Sequence, residues 1–282
     1  MSRESQLKNA SKSIMRALLK DCKAPDLYWG EVPCHDPKTQ TDGHMTKLPF
    51  ILPHELLKNM LGKDAKLLGE LASNPLLPGV EQFRDSFCEK FEVPATQCLG
   101  LGVFGDGVPH QKNKSVECVT WNILGQGANS KRYLFTCIPK NFTCKCGCSG
   151  RHTMEAIFKV LLYSFVAMSK NIFPQCRHDE TAWSSEDKGR AKMKGPLGFF
   201  AALLQVRGDW SWYKQIFAFP SWSSHHICWR CNAGKEEDSF KDTTKKATWR
   251  KKRFTTTQFF RKQRECGAEP SILFRCPRRR RG

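Results

Sequence analysis

Leu99-Gly100-Leu101-Gly102-Val103-Phe104-Gly105-Asp106 is the stretch on which the fold of this chain turns. Apolar side chains at Leu99, Leu101, Val103 and Phe104 run up to an acidic residue with a glycine on either side. A short apolar run closed by Gly-Asp-Gly predicts a core strand that carries a carboxylate to an open strand end. A second run repeats the arrangement, Phe199 to Val206 being followed by Arg207, Gly208 and Asp209. Its length suits a strand or a short buried helix equally. Two carboxylates on the ends of two core strands are what a divalent-metal site for phosphodiester chemistry requires. Taken singly, each aspartate also reads as an ordinary turn residue beside its glycine. The order of the elements between them sets the pair apart.

Between the two runs, Val116 to Leu124 is rich in β-branched and aromatic residues, and 125–130 is a turn cluster. Arg132 to Ile138 then alternates, with Tyr133, Phe135 and Cys137 expected on one face. Three successive strands with polar connections predict an antiparallel meander. From Thr153 to Ile172 the period changes: Met154, Ile157, Phe158, Leu161, Leu162, Phe165 and Val166 follow helical spacing, with Thr153 as the expected N-cap. After Asp209, Trp210 to Phe219 reads as a short helix with Trp210, Tyr213, Ile216 and Phe217 inward.

Upstream, residues 1–40 start as a helical pattern (Ile14, Leu18, Leu19) and pass into a Pro-rich polar loop holding Cys34, His35 and Asp36. Pro53 suits the first turn of a helix, and Val80 to Phe91 reads as another with Phe83, Phe87, Cys88 and Phe91 on one face. The chain therefore divides into a helical lead-in over 1–95, a core over 96–235 and a basic tail over 236–282, expected to be disordered.

Forty per cent of the 282 residues are hydrophobic and eleven per cent aromatic, which is enough for a real core. The net charge of +19 is concentrated at one end: residues 241–282 hold fifteen Lys or Arg against three acids, leaving about +7 for the rest. Such a tail points to polyanions, nucleic acid first, through Arg250, Lys251, Lys252, Arg253 and the run Arg278, Arg279, Arg280, Arg281. The start of the chain is polar, without a secretory signal, and no apolar run reaches the length of a membrane span. Fourteen cysteines are then read as reduced thiols, some of them metal ligands.

Two groups have ligand spacing. His225-His226-Ile227-Cys228-Trp229-Arg230-Cys231 holds a Cys-x-x-Cys preceded by two histidines, a zinc half-site that needs a further ligand from elsewhere. Cys144, Cys146 and Cys148, with His152 beyond, form the other. On an extended strand alternate cysteines lie about 6.5 Å apart, too far to chelate. In a turn containing glycine they can converge, so an unligated loop and a metal knuckle both remain open.

Gly105-Asp106-Gly107, a strand with Trp121, an amphipathic helix, Arg207-Gly208-Asp209-Trp210 and then Cys228-x-x-Cys231 together resemble the cut-and-paste DNA transposases, CACTA-type elements and their relatives above all. Phe50-Ile51-Leu52-Pro53-His54-Glu55-Leu56 also resembles the lead-in of transposon-like reading frames. The resemblance spans roughly residues 45–275. It implies an α/β fold with a ribonuclease H-like mixed sheet in the order strand, strand, strand, helix, strand, helix. It implies Asp106 and Asp209 as catalytic ligands of two Mg²⁺ or Mn²⁺ ions, DNA or RNA as partner, no membrane, and the nucleus as location. Such transposases use a third carboxylate, for which Glu265 and Glu269 in their basic segment are poor candidates. The resemblance thus implies a C-terminally truncated remnant of the cleavage and strand-transfer chemistry. A non-catalytic zinc-binding nucleic-acid or interaction module is the alternative.

Overall fold

The computed structural model describes residues 25–62, 64–111, 114–127 and 130–217, and beyond them 219, 223, 228, 231, 233–235, 239–251, 253–255, 257–258 and 261. The chain is α/β. A hairpin, β1 (Tyr28–Asp36) and β2 (Thr41–Phe50), leads into α1 (Pro53–Leu61), α2 (Ala65–Ala72) and α3 (Pro78–Phe91). A meander follows in β3 (Cys98–Gln111), β4 (Lys114–Ile123) and β5 (Tyr133–Pro139). Then come the long helix α4 (Arg151–Ser169), the short α5 (Lys188–Lys192), β6 (Phe200–Gly208) and α6 (Trp210–Phe217).

The four later strands form one mixed sheet in the order β5-β4-β3-β6. β3 is antiparallel to β4 and parallel to β6, so the chain crosses back over the sheet through α4 to place β6 beside β3. The apolar run before Arg207 is thus a strand. Leu99, Leu101 and Val103 of β3 lie on the face covered by α4, where Ile157, Phe158, Leu161 and Trp121 join them in the buried core. On the opposite face α3 covers only the first part of β3 and β6, through Cys88 against Cys98 and Ala202. Among the described residues no helix is long and apolar enough to cross a membrane.

Several local expectations are corrected. The stretch around Cys34, His35 and Asp36 is strand, not loop: Tyr28, Gly30, Val32 and Cys34 alternate inward along β1, and the Asp36 carboxylate closes the turn by accepting the Lys38 N–H at 2.8 Å. The region expected to be helical therefore carries a hairpin as well as three helices; its residues 1–24 lie outside the described ones. In α3, Arg84 and Cys88 face inward while Phe83 and Phe91 are exposed. In β5, a bulge leaves Phe135 without a register partner, so Cys137 turns outward and Ile138 inward. Gly150, not Thr153, stands at the N-cap of α4. In α6 the inward tryptophan is Trp212, and Trp210 is exposed. Finally, part of the expected tail has local structure: Thr248–Lys251 form a helical turn (α7), and Cys231 bridges Arg253.

Candidate functional site

The residues between β5 and α4 curl into a tight knuckle. Gly147, Ser149 and Gly150 take positive φ, which reverses the chain twice within four residues and brings alternate cysteines to one side. Cys144 Sγ lies 3.3 Å from Cys146 Sγ, and His152 Nδ1 lies 3.7 Å from the first and 3.3 Å from the second. Ligand atoms of Cys144, Cys146, Cys148 and His152 all fall within 4.8 Å of one another. Tetrahedral zinc with Zn–S near 2.3 Å sets ligand–ligand edges of about 3.5–3.8 Å, so the spacing of Cys144, Cys146 and His152 is close to what one ion requires, with Cys148 within reach as a fourth ligand.

Surrounding groups hold the knuckle in place. Thr153 Oγ1 donates to the Pro33 carbonyl at 2.6 Å and accepts the Cys144 N–H at 2.9 Å, tying the knuckle to β1. The Asp42 carboxylate accepts the Lys145 N–H at 2.6 Å and lies 3.2 Å from His35 Nδ1. These contacts, the Lys145 N–H first, hold the Asp42 carboxyl below its usual range. Burial pushes the Cys144 thiol up to about 12. Cys148 moves the other way: burial opposes its thiolate, but the His152 N–H and the neighbouring thiols outweigh that. His152 sits in the first turn of α4, where the free N–H groups of the helix end favour negative ligands.

The two aspartates are carried by neighbouring parallel strands. Gly105 is the register partner of Gly208, so Asp106 within β3 and Asp209, the residue after β6, follow at neighbouring points. β3 does not stop at Asp106, as the sequence reading expects, but runs on to Gln111 because β4 continues to pair with it. β6 does stop, and Asp209 turns the chain into α6 by accepting the Trp212 N–H on Oδ1 at 2.6 Å. One Asp209 oxygen therefore caps a helix. Among the described residues no third carboxylate, thiol or imidazole joins Asp106 and Asp209 within ligand distance of each other. A carboxylate pair by itself is only part of the ligand set that Mg²⁺ takes. It does not complete a two-metal catalytic centre.

Of the zinc half-site expected at 225–231, His225 and His226 lie outside the described residues, Cys228 is half-buried and Cys231 is buried. Among the nucleic-acid candidates, Arg250 and Lys251 lie on α7, with the Arg250 guanidinium 4.5 Å from the Trp249 ring centre, and Arg253 is exposed. Lys252 and Arg278, Arg279, Arg280 and Arg281 lie outside the described residues. Comparison with known proteins returns no matching family model, no matching curated protein and no matching solved structure.

Proposed function

We propose that the chain is a nucleic-acid-binding protein on a ribonuclease H-like core of the transposase kind, keeping two of the carboxylates of metal-dependent DNA cleavage. The observation that carries this reading is the pairing of Gly105 with Gly208. It stands within a sheet whose first strand is flanked by the second, antiparallel, and by the fourth, parallel, after a helical crossover. The resemblance implies the same order of elements along the chain. DNA is the proposed partner, in the nucleus, with the basic excess supplying the phosphate contacts. The reading assigns Asp106 and Asp209 to a Mg²⁺ or Mn²⁺ ion shared with a phosphate, and assigns no hydrolytic step to a pair that lacks its third acid.

The test is a titration of the full chain against duplex DNA at several salt concentrations. Affinity should fall steeply and linearly on logarithmic axes, because bound cations release counterions from the phosphates. No affinity, or affinity insensitive to salt, overturns the reading.

The Cys144–His152 knuckle favours a second reading, a zinc-bearing module without catalysis. Zinc bound at one per chain with no Mg²⁺-dependent nicking supports it. Nicking abolished alike by Asp106→Asn and Asp209→Asn supports a surviving nuclease instead.

A further inference from the structure

We infer that the face of the four-stranded sheet turned away from α4 holds a phosphodiester group between the guanidinium groups of Arg132 and Arg207. The inference rests on the nucleic-acid reading above and gives it a location. Phe104 is the register partner of Thr120 on β4 and of Arg207 on β6, so the three residues form a row across the sheet. Arg132, the residue before β5, reaches this row with its side chain, its guanidinium carbon lying 4.0 Å from the Phe104 ring centre. Two residues on from Phe104, and hence on the same face, stands Asp106.

Arg207 is held in position from below. It donates to Asn122 Oδ1, and the Asn122 amide is fixed in turn because its Nδ2 donates to Ser130 Oγ at 2.8 Å and to the Ile123 carbonyl at 3.0 Å. The absence of a side chain at Gly102 makes the space: a Cβ there would lie 2.8 Å from both Arg207 Nη2 and Asn122 Oδ1. A β-strand glycine at such a point marks close approach of another group.

Both guanidinium groups lack a counter-charge. Neither is paired with a carboxylate among the described residues, and Arg207 Nε is buried with no hydrogen-bond partner. Burial first, and the nearby Arg132 charge second, hold Arg207 below its usual pKa, and an anion beside the two offsets the repulsion between them. Among the described residues Arg207 Nη1 and the Arg132 guanidinium take no hydrogen bond, and guanidinium N–H groups are the donors that phosphate oxygens accept most strongly. A free phosphate has the same chemistry. A phosphodiester is favoured because Arg132 is exposed and Phe104, Thr120, Arg207 and Asp106 are half-buried, so the row reaches solvent along its length.

The test uses the full chain and a DNA oligonucleotide carrying 5-bromouracil, with Arg132→Gln, Arg207→Gln and Gly102→Ala, and with Arg250→Gln/Arg253→Gln as the tail control. Removing one phosphate contact should lower the salt slope by about 0.9 on duplex DNA or about 0.7 on a single strand. Photocrosslinks should map to the peptide holding Phe104 and be lost in Arg132→Gln and Gly102→Ala, but persist in the tail control. Arg132 is exposed, so its variant keeps the test valid if Arg207→Gln fails to fold. DNA binding with slope and crosslinks unchanged in Arg132→Gln overturns the inference and leaves the nucleic-acid reading standing. Inorganic phosphate displacing the oligonucleotide from this face at low millimolar concentration assigns the pair to a free oxyanion and also overturns it. Wild-type protein that binds no DNA overturns both.

Discussion

Gly105 and Gly208 stand side by side on two parallel strands, and the indole of Trp212 occupies the space that a side chain on either would fill. A Cβ on Gly105 would fall 1.9 Å from the Trp212 ring, and one on Gly208 would fall 2.5 Å from it. Gly105 and Gly208 are thus accounted for by packing against Trp212. They allow α6 to lie against the sheet, and α6 in turn begins at Asp209.

Gly105→Ala should therefore displace Trp212 and destabilise the fold by about 1–3 kcal/mol, the usual range for forcing atoms into a filled core. Chemical denaturation and the near-ultraviolet dichroism of the buried indole measure this. A variant as stable as wild type with an unaltered spectrum contradicts the packing.

The side chain of Asp209 has a structural duty that charge removal alone leaves intact. Asparagine caps helices as well as aspartate, whereas alanine loses the bond to the Trp212 N–H and costs about 1 kcal/mol. Asp209→Asn should match wild-type stability and Asp209→Ala should fall below it, read as a shift in the denaturation midpoint. Equal stability of the two variants contradicts the cap.

Zinc should bind at one per chain to Cys144, Cys146, Cys148 and His152, and native mass spectrometry counts it. The knuckle connects the first turn of α4 to β1, so chelation should loosen both. A loss of about 3 kcal/mol corresponds to a fall of roughly 6–12 °C in the unfolding midpoint for a folded region of this size. Cys146→Ser should reproduce the fall and lose the metal. A chain that retains zinc as Cys146→Ser, or whose midpoint ignores chelation, contradicts the assignment.

What the sequence makes legible follows from the range of the interactions involved. The order of core elements, the meander, the long helix and the place of Asp209 after its strand all come from local apolar patterning, which survives without tertiary information; the continuation of β3 past Asp106 depends on its pairing with β4. The hairpin at 28–50 was hidden because Pro33, the polar turn at Asp36 and the exposed face of β2 resemble a loop until α4 covers the other side. Cys137 turns outward, against its alternation with Phe135, because a bulge at Phe135 breaks the two-residue period. The Cys144–His152 spacing was visible, but extended geometry would separate the thiols; only the positive φ of Gly147, Ser149 and Gly150 brings them together. In the sequence Arg207 stands out only as a neighbour of Asp209, since Asn122 comes from β4 and Arg132 from the residue before β5.

Acid should weaken the fold through His54. This residue of α1 is almost fully buried, and Ser164 Oγ accepts its backbone N–H at 3.0 Å and donates to its Nδ1 at 2.8 Å. Burial first, and the Arg190 charge second, push its pKa down to about 3. The unfolded chain takes up this proton near 6.5, so between the two values it binds one more proton than the folded chain. Stability is fully present above about pH 7 and falls by about 1.4 kcal/mol per unit below about pH 6. Denaturation between pH 7 and 5, with zinc in excess, should show His54→Met shallower than wild type by about one proton. Equal slopes contradict the assignment.

The most direct test of the central claim is the effect of Mn²⁺ on DNA affinity at constant ionic strength, in wild type, Asp106→Asn and Asp209→Asn. If the two aspartates share a cation with a phosphate, Mn²⁺ should raise wild-type affinity about tenfold, roughly 1.4 kcal/mol, and leave both variants unchanged. A wild type indifferent to Mn²⁺, or variants that gain as much as it does, would contradict the account.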